Sequence, residues 1–326
     1  MPIHCLYAVK NIGYGGVDIF FFASGIGCWY SLDKNPDPGQ FIYRRMRKIL
    51  PMYECFLVFW IVFKRLSDGI TITETVGNVF CIQELTGKGN AFNWYISAVW
   101  IMYFAAPFLY CFLRKIHTYL QAGLVLAVAF AATTAFWHSS FLVIASRFPV
   151  FLMGMMMAKM FKDRETLNKA EVFAALFLMM IGFAVLCLSR TRYADLAAER
   201  GIKWYSFLLI VPGLCLLLSL GAEISGKLKV GSVLIKTLDL IGKHTFEVYL
   251  THLLIFDIYK HLLNINRIDN RNSYWWIAVL LVIMASAALH YLTKAVVFAA
   301  DQIGAIISKR HENRNENKNC KFQDLN

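Results

Sequence analysis

The chain is 326 residues long, 58% hydrophobic and 17% charged, with a mean hydropathy of +0.51, whereas soluble domains are about 25% charged. Apolar runs close to the length of a membrane span recur from end to end, which excludes a soluble enzyme and leaves little chain for a soluble domain. The formal net charge of +12 would suggest nucleic acid as the partner of a soluble protein. In a membrane protein, Lys and Arg collect in the cytoplasmic loops, so the lipid bilayer is the expected partner and nucleic acid is not.

In chain order, residues 1–12 are apolar but far too short to span. The first full span runs from Gly13 to about Ser31 and ends in a turn of strong breakers around Asp33, Asn35, Pro36, Asp37, Pro38 and Gly39. A second runs from about Ile49 to Phe63. Residues 64–91 are mixed and polar, with a short interfacial helix predicted around Thr71 to Ile82. The third span, about Phe92 to Leu113, contains Pro107 and opens with Asn93-Trp94-Tyr95-Ile96-Ser97, aromatics that suit a membrane boundary. Further spans are predicted at about 120–136, 141–160, 171–188, 205–222, 245–263 and 274–298. The expected fold is therefore all-α, a polytopic bundle of about nine transmembrane helices over residues 1–308. The polar, Asn-rich stretch 309–326 reads as a disordered cytoplasmic tail.

Loop charges predict the orientation. Stretches 33–48, 114–119, 159–170, 223–244 and 299–326 are basic or carry clustered Lys and Arg, and they fall at every second loop. Those around 64–91, 137–140 and 264–273 are weakly charged, and 189–203 is the one exception. The first set is expected in the cytoplasm, and this count places the N-terminus outside. The start of the chain has no small-residue cleavage site, so no cleavable signal peptide is expected. The eight cysteines are scattered without a Cys-x-x-Cys and read as small buried hydrophobes. The run Met153, Met155, Met156 and Met157 reads as packing, and no metal site is expected there.

Two stretches demand a physical reason. Asp18 stands at the mouth of an apolar run, where a carboxylate is costly unless it has a partner or touches water. Arg44, Arg45, Arg47 and Lys48 then place four cations within five residues where the next apolar run begins, at a surface that could hold lipid headgroups or a polyanion. Together the two stretches resemble the membrane acyltransferase-3 family. The match is Gly16, Val17, Asp18, Ile19, Phe20, Phe21, Ser24 and Gly25, then Phe41, Arg44, Arg45, Ile49, Leu50, Pro51 and Tyr53. Lys48 stands where the family usually has Arg. Its Arg-x-x-Arg therefore falls either on Arg44 with Arg47 or on Arg45 with Lys48, and the sequence leaves both registers open. Three further segments are similar to family patterns: Trp94-Tyr95-Ile96-Ser97; Arg147, Pro149, Phe151 and Gly154; and Gly242-Lys243 through Tyr249, Leu250 and His252, where Thr245 and Phe246 replace the commoner Ser and Tyr.

The resemblance implies an integral membrane O-acyltransferase. It would move an acyl group, most simply acetyl, from cytoplasmic acyl-CoA to a hydroxyl of a cell-surface saccharide or glycolipid. That is O-acetylation in polysaccharide modification, at a bacterial plasma membrane. Acyl-CoA is the donor substrate, and no permanently bound cofactor is implied. The cation cluster would clamp the coenzyme A phosphates, for which the planar Arg fork is well suited; the other reading of the cluster is an orientation signal. His4 would be the general base on the acceptor hydroxyl, and Asp18 would orient a His or polarise the site. Arg147, Glu247, Tyr249 and His252 would line the substrate cavity; the competing readings are snorkelling for Arg147 and helix packing for the rest. Ser24 and Gly25 read as close-packing residues.

The family core has about ten helices, so the first is expected to be cut short here. His4 would then lack its anchoring helix, and the chain as written would be weakly active or inactive. A polysaccharide or glycolipid transporter or flippase is the rival class. No paired broken helices or internal symmetry favour it.

Overall fold

Polar residues at the ends of the apolar runs set where helices begin. The computed structural model describes residues 15–67, 69–82, 93–136, 139, 141–164, 167–189, 202–226, 231–265 and 275–323. Among these are twelve α-helices and no strand: α1 (Gly16–Lys34), α2 (Pro38–Ser67), α3 (Ile72–Val79), α4 (Asn93–Leu113), α5 (Tyr119–Thr133), α6 (Leu142–Ala145), α7 (Phe148–Phe161), α8 (Lys169–Leu188), α9 (Ile202–Gly226), α10 (Gly231–Lys243), α11 (Thr245–Ile265) and α12 (Trp275–Gln323). Capping boxes open three of them, Thr71 with Glu74 at α3, Thr118 with Gln121 at α5 and Asn168 with Glu171 at α8. Each satisfies otherwise orphaned N–H groups in both directions. Pro149 sits in the first turn of α7, where its missing N–H costs nothing. Pro51, Pro107 and Pro212 lie inside α2, α4 and α9, as neighbouring helices in a bilayer permit.

Six described helical stretches are long and apolar enough to cross a membrane: Trp94–Leu113, Tyr119–Phe136, Leu142–Phe161, Lys169–Leu188, Trp204–Gly221 and Trp276–Gly304. They coincide with six of the nine expected spans. The other three expected spans are also helical, in α1, in the second half of α2 and in α11. They carry Asp18 and Asp33, Glu54, and Glu247 and Asp257 respectively, so their passage through a bilayer depends on what those charges meet. Helix α12 continues to Gln323, into the polar stretch for which the sequence predicts no order. Extending an existing helix avoids the cost of nucleating one.

The helices pack as two units, one containing Thr71–Leu238 with the chain up to Arg45, the other Met46–Ile70 with the chain from Asp239. In the first, α1 and α7 lie against each other through glycine. A Cβ on Gly25 would stand 2.2 Å from the Phe151 carbonyl oxygen, and one on Gly154 would stand 2.2 Å from that of Phe22. The same two helices are joined by an ion pair at each end, Asp18 with Arg147 and Asp33 with Lys162. The two ion pairs share one sequence offset, 129 residues (147 less 18, 162 less 33), and the glycine contacts between them, Gly154 with Phe22 and Gly25 with Phe151 and Met155, fall on either side of it. A constant difference means that the helices run parallel and in register. Beside them α8 and α9 also meet through glycine, with Gly182 against Ser206 and Gly213 against Ala175. Phe22, Val150, Met153, Met179, Phe207 and Ile210 form the shared apolar core. The methionine run therefore packs, as the sequence suggests.

The C-terminal ends of α1, α4 and α7 gather at one end of this unit. Tyr110 donates to Asp33 at 3.2 Å, and the Lys159 ammonium donates to the carbonyls of Leu113, Arg114 and Ile116, a cation on the negative end of α4. At the same end, the Lys162 ammonium, 2.6 Å from Asp33, holds that carboxyl below the usual carboxylate range. Loops 33–48, 114–119 and 159–170, which charge alternation assigns to one side, thus contribute to one end. In the second unit α11 and α12 run antiparallel, tied by Thr251 and Ser286 hydroxyls 2.7 Å apart.

The glycine crossing predicts a specific sensitivity. Gly25→Ala and Gly154→Ala should each lower stability by about 1–3 kcal/mol, the range for overpacking, because the obstacle is backbone. Gly123→Ala, on α5 with nothing within 4 Å of its Cβ position, should be neutral or slightly stabilising. Unfolding of the detergent-solubilised protein, followed by fluorescence, checks this; equal stability for all three would refute the close approach.

Candidate functional site

Asp18 lies in the first turn of α1 and is fully buried, and Arg147, immediately before α7, is 2% exposed. The register described above brings Arg147 Nε to 3.4 Å from Asp18 Oδ1. Among the described residues neither Asp18 oxygen meets a donor from another residue, so the carboxylate is compensated chiefly by charge. Arg147 is held from other directions. Its Nη1 donates to the Val143 carbonyl and to Ser146 Oγ, each at 3.0 Å. Its guanidinium carbon lies 5.1 Å from the Trp94 ring and 5.0 Å from the Trp204 ring, contacts that strengthen when desolvated. Snorkelling is therefore not what Arg147 does: it turns inward, to a carboxylate and two indoles. Trp94 opens α4 and Trp204 lies in the first turn of α9, so the pair sits where the starts of four helices converge. That is the end opposite Asp33, about 22 Å away along α1 at 1.5 Å per residue.

The four cations of the cluster have different fates. Arg45 is half-buried; its Nη2 donates to the Gly27 carbonyl at 2.8 Å, and its guanidinium lies 5.3 Å from both the Phe41 and Tyr103 rings. Arg47 binds both oxygens of Asp301 on α12 at 2.8 Å, in a pair whose side chains are 52% and 57% exposed. Arg44 and Lys48 are exposed. Arg45 thus serves the fold of the first unit.

In the second unit, Glu247 is 2% exposed and lies in the first turn of α11. The structure surrounds it with two imidazoles. His244 Nδ1, just before the helix, is 3.3 Å from Glu247 Oε1, and His290 Nδ1 on α12 is 2.7 Å from the same oxygen. The two rings meet edge to face with centroids 4.6 Å apart. Tyr249 and His252, expected to share a face, do so at 5.7 Å between ring centroids, and His252 Nδ1 faces the Val248 carbonyl at 3.0 Å. The expected cavity residues thus divide between the units: Arg147 belongs to the first, and Glu247, Tyr249 and His252 to the second. His4 lies outside the described residues. His290 escapes sequence reasoning because a single His in a long apolar run reads as packing; its position one turn beyond Ser286, on a helix antiparallel to α11, was the available signal.

The sequence profile of the acyltransferase-3 family, described as an acyltransferase domain, matches residues 2–291. The chain belongs to this family. It is a multi-pass helical membrane protein with an acyltransferase domain over most of its length. No curated protein and no solved structure matches it.

The buried pair makes a strong prediction. Asp18→Asn or Arg147→Gln alone leaves one charge buried without its counter-ion and should cost about 3–5 kcal/mol. The double variant should cost clearly less than the sum of the two. Arg147→Lys should not restore stability, since a point charge replaces a fork stacked on two indoles. A double-mutant cycle on thermal unfolding decides; strict additivity would show that the pair is not coupled.

Proposed function

We propose that this acyltransferase takes its acyl group, most simply acetyl, from cytoplasmic acyl-CoA and transfers it to a hydroxyl of a cell-surface saccharide or glycolipid at a bacterial plasma membrane. The observation that carries the reading is the buried Asp18–Arg147 pair. A carboxylate whose oxygens meet no donor from another described residue, fixed by an Arg wedged between indoles, is a preorganised anchor for a catalytic imidazole. His4 is that imidazole in this proposal. It removes the acceptor hydroxyl proton while the hydroxyl oxygen attacks the thioester carbonyl; the thiolate of coenzyme A leaves and takes up a proton. Asp18 fixes the tautomer of the ring and stabilises it when protonated, as a carboxylate does beside a catalytic His.

Donor binding falls to Arg44, Arg47 and Lys48, with Arg45 supporting them from within the fold. The exposed Arg47–Asp301 pair is of the kind that contributes about 0–1 kcal/mol, so a phosphate can displace Asp301. This favours the register Arg44 with Arg47 for the family's Arg-x-x-Arg. Glu247, Tyr249 and His252 contribute to the acceptor path in this reading.

Transfer of label from acetyl-CoA to a saccharide acceptor by membranes containing the protein, fast or slow, should depend on His4 and Asp18. His4→Gln and Asp18→Asn should abolish transfer. Arg44→Ala with Arg47→Ala should weaken acyl-CoA binding about ten-fold or more, as loss of charge-assisted hydrogen bonds implies, and Lys at both positions should restore it only partly. Full transfer by the His4→Gln protein would remove His4 from the mechanism. Unchanged acyl-CoA binding by the double Ala variant would reduce the cluster to an orientation signal, and saccharide movement without acylation would favour the transporter.

A further inference from the structure

A buried carboxylate requires positive charge nearby, and Glu247 draws it from an unusual source. Its ion-pair partners among the described residues are two imidazoles, His244 and His290, side chains that are also common metal ligands. Both present Nδ1, and both aim at one oxygen of Glu247. The three ligand atoms lie within 4.8 Å of one another. Around one Zn2+-class ion, with bonds of about 2.0–2.2 Å to nitrogen and carboxylate oxygen, ligand atoms lie roughly 3–4 Å apart. The observed 3.3 Å and 2.7 Å need to open by no more than about half an ångström. Access is also suitable: the carboxylate is buried while the His244 and His290 side chains are 35% and 22% exposed, so the cluster opens to its surroundings on the imidazole side.

We infer that His244, Glu247 and His290 form a site for a divalent transition metal of the zinc class, with two imidazoles and one carboxylate as ligands and room for a further ligand. Two His and one Glu is an established ligand set for zinc in sites that keep a position open. The ion supplies the charge Glu247 needs and joins the start of α11 to α12. One turn along, the Thr251 hydroxyl donates to the Glu247 backbone carbonyl and meets Ser286 Oγ, which keeps the two helices in the register the ligands require. Outer groups of this kind orient metal ligands. The inference does not depend on the acyl-transfer mechanism.

The test uses the full chain, purified in detergent without a His-tag, stripped with chelator and titrated with Co2+ by visible absorption, with bound Zn2+ then measured by elemental analysis. The expected result is saturable binding of about one ion per chain, as for a single site. Glu247→Gln and His290→Ala should each weaken it beyond the roughly 10–100-fold lost when an outer-shell partner is removed. His244→Ala, at an exposed helix junction, is the variant least apt to disturb folding and should weaken it similarly. His117→Ala, in an exposed loop of the other unit, should bind as the parent does. Absence of saturable binding by the folded parent, or equal binding by the parent and all three cluster variants, overturns the site.

Discussion

The parallel contact between α1 and α7 is the constraint on which the first unit depends. An ion pair at each end with one sequence offset, and backbone contact through glycine between them, leave little freedom to slide or rotate. A shift of α7 by one residue would turn Arg147 by about 100° around its axis, taking the guanidinium from Asp18 and both indoles at once. The glycines at the crossing permit the approach and the charges at its ends fix the register. A buried ion pair contributes little net stability against an apolar replacement, but it discriminates strongly between arrangements. Here the apolar core of Phe22, Val150 and Met153 supplies adhesion, and the pair supplies the address.

The second unit uses the same logic with weaker groups. Helices α11 and α12 face each other through a short polar ladder, Glu247 with His290 and, one turn on, Thr251 with Ser286. Lipid is as apolar as Leu, so such helices gain little by hiding hydrophobic faces and rely on packing and interhelical hydrogen bonds. The ladder also explains why α11 fails a purely apolar criterion for a span although the sequence predicts one. Glu247, one of the carboxylates that lower its hydropathy, is turned toward His244 and His290.

Much of this was legible in the sequence, and what was not has a common cause. Apolar length located the helices, breakers and capping residues located their ends, and Gly25 was readable as a packing residue. The sequence also showed that Asp18 required a partner. It did not show which partner, because that depends on the register of two helices far apart in the chain. Arg147 was visible as costly in a membrane, but its two plausible solutions, turning outward or inward, differ only in three-dimensional surroundings. Arg45 looked equivalent to Arg44 until Phe41, Tyr103 and Gly27 were placed around it. His244 and His290 stand 3 and 43 residues on either side of Glu247, and only antiparallel packing brings His290 back to it.

The offset between α1 and α7 has a consequence for the order in which the protein is made. Arg147 leaves the ribosome 129 residues after Asp18, which at about 5–20 residues per second is roughly 6–26 seconds later. Throughout that interval α1 carries a carboxylate whose only described counter-ion has not yet been synthesised, and several apolar helices emerge before it. A carboxylate at the centre of a spanning helix is disfavoured by about 2.5–3.5 kcal/mol on insertion scales, and less toward the helix end where Asp18 stands. Helix α1, translated before the other described helices of its unit, is therefore among the last able to settle. Completion of this part of the protein is set by the arrival of α7, so a cell's capacity to shelter an unfinished membrane helix becomes a determinant of its yield.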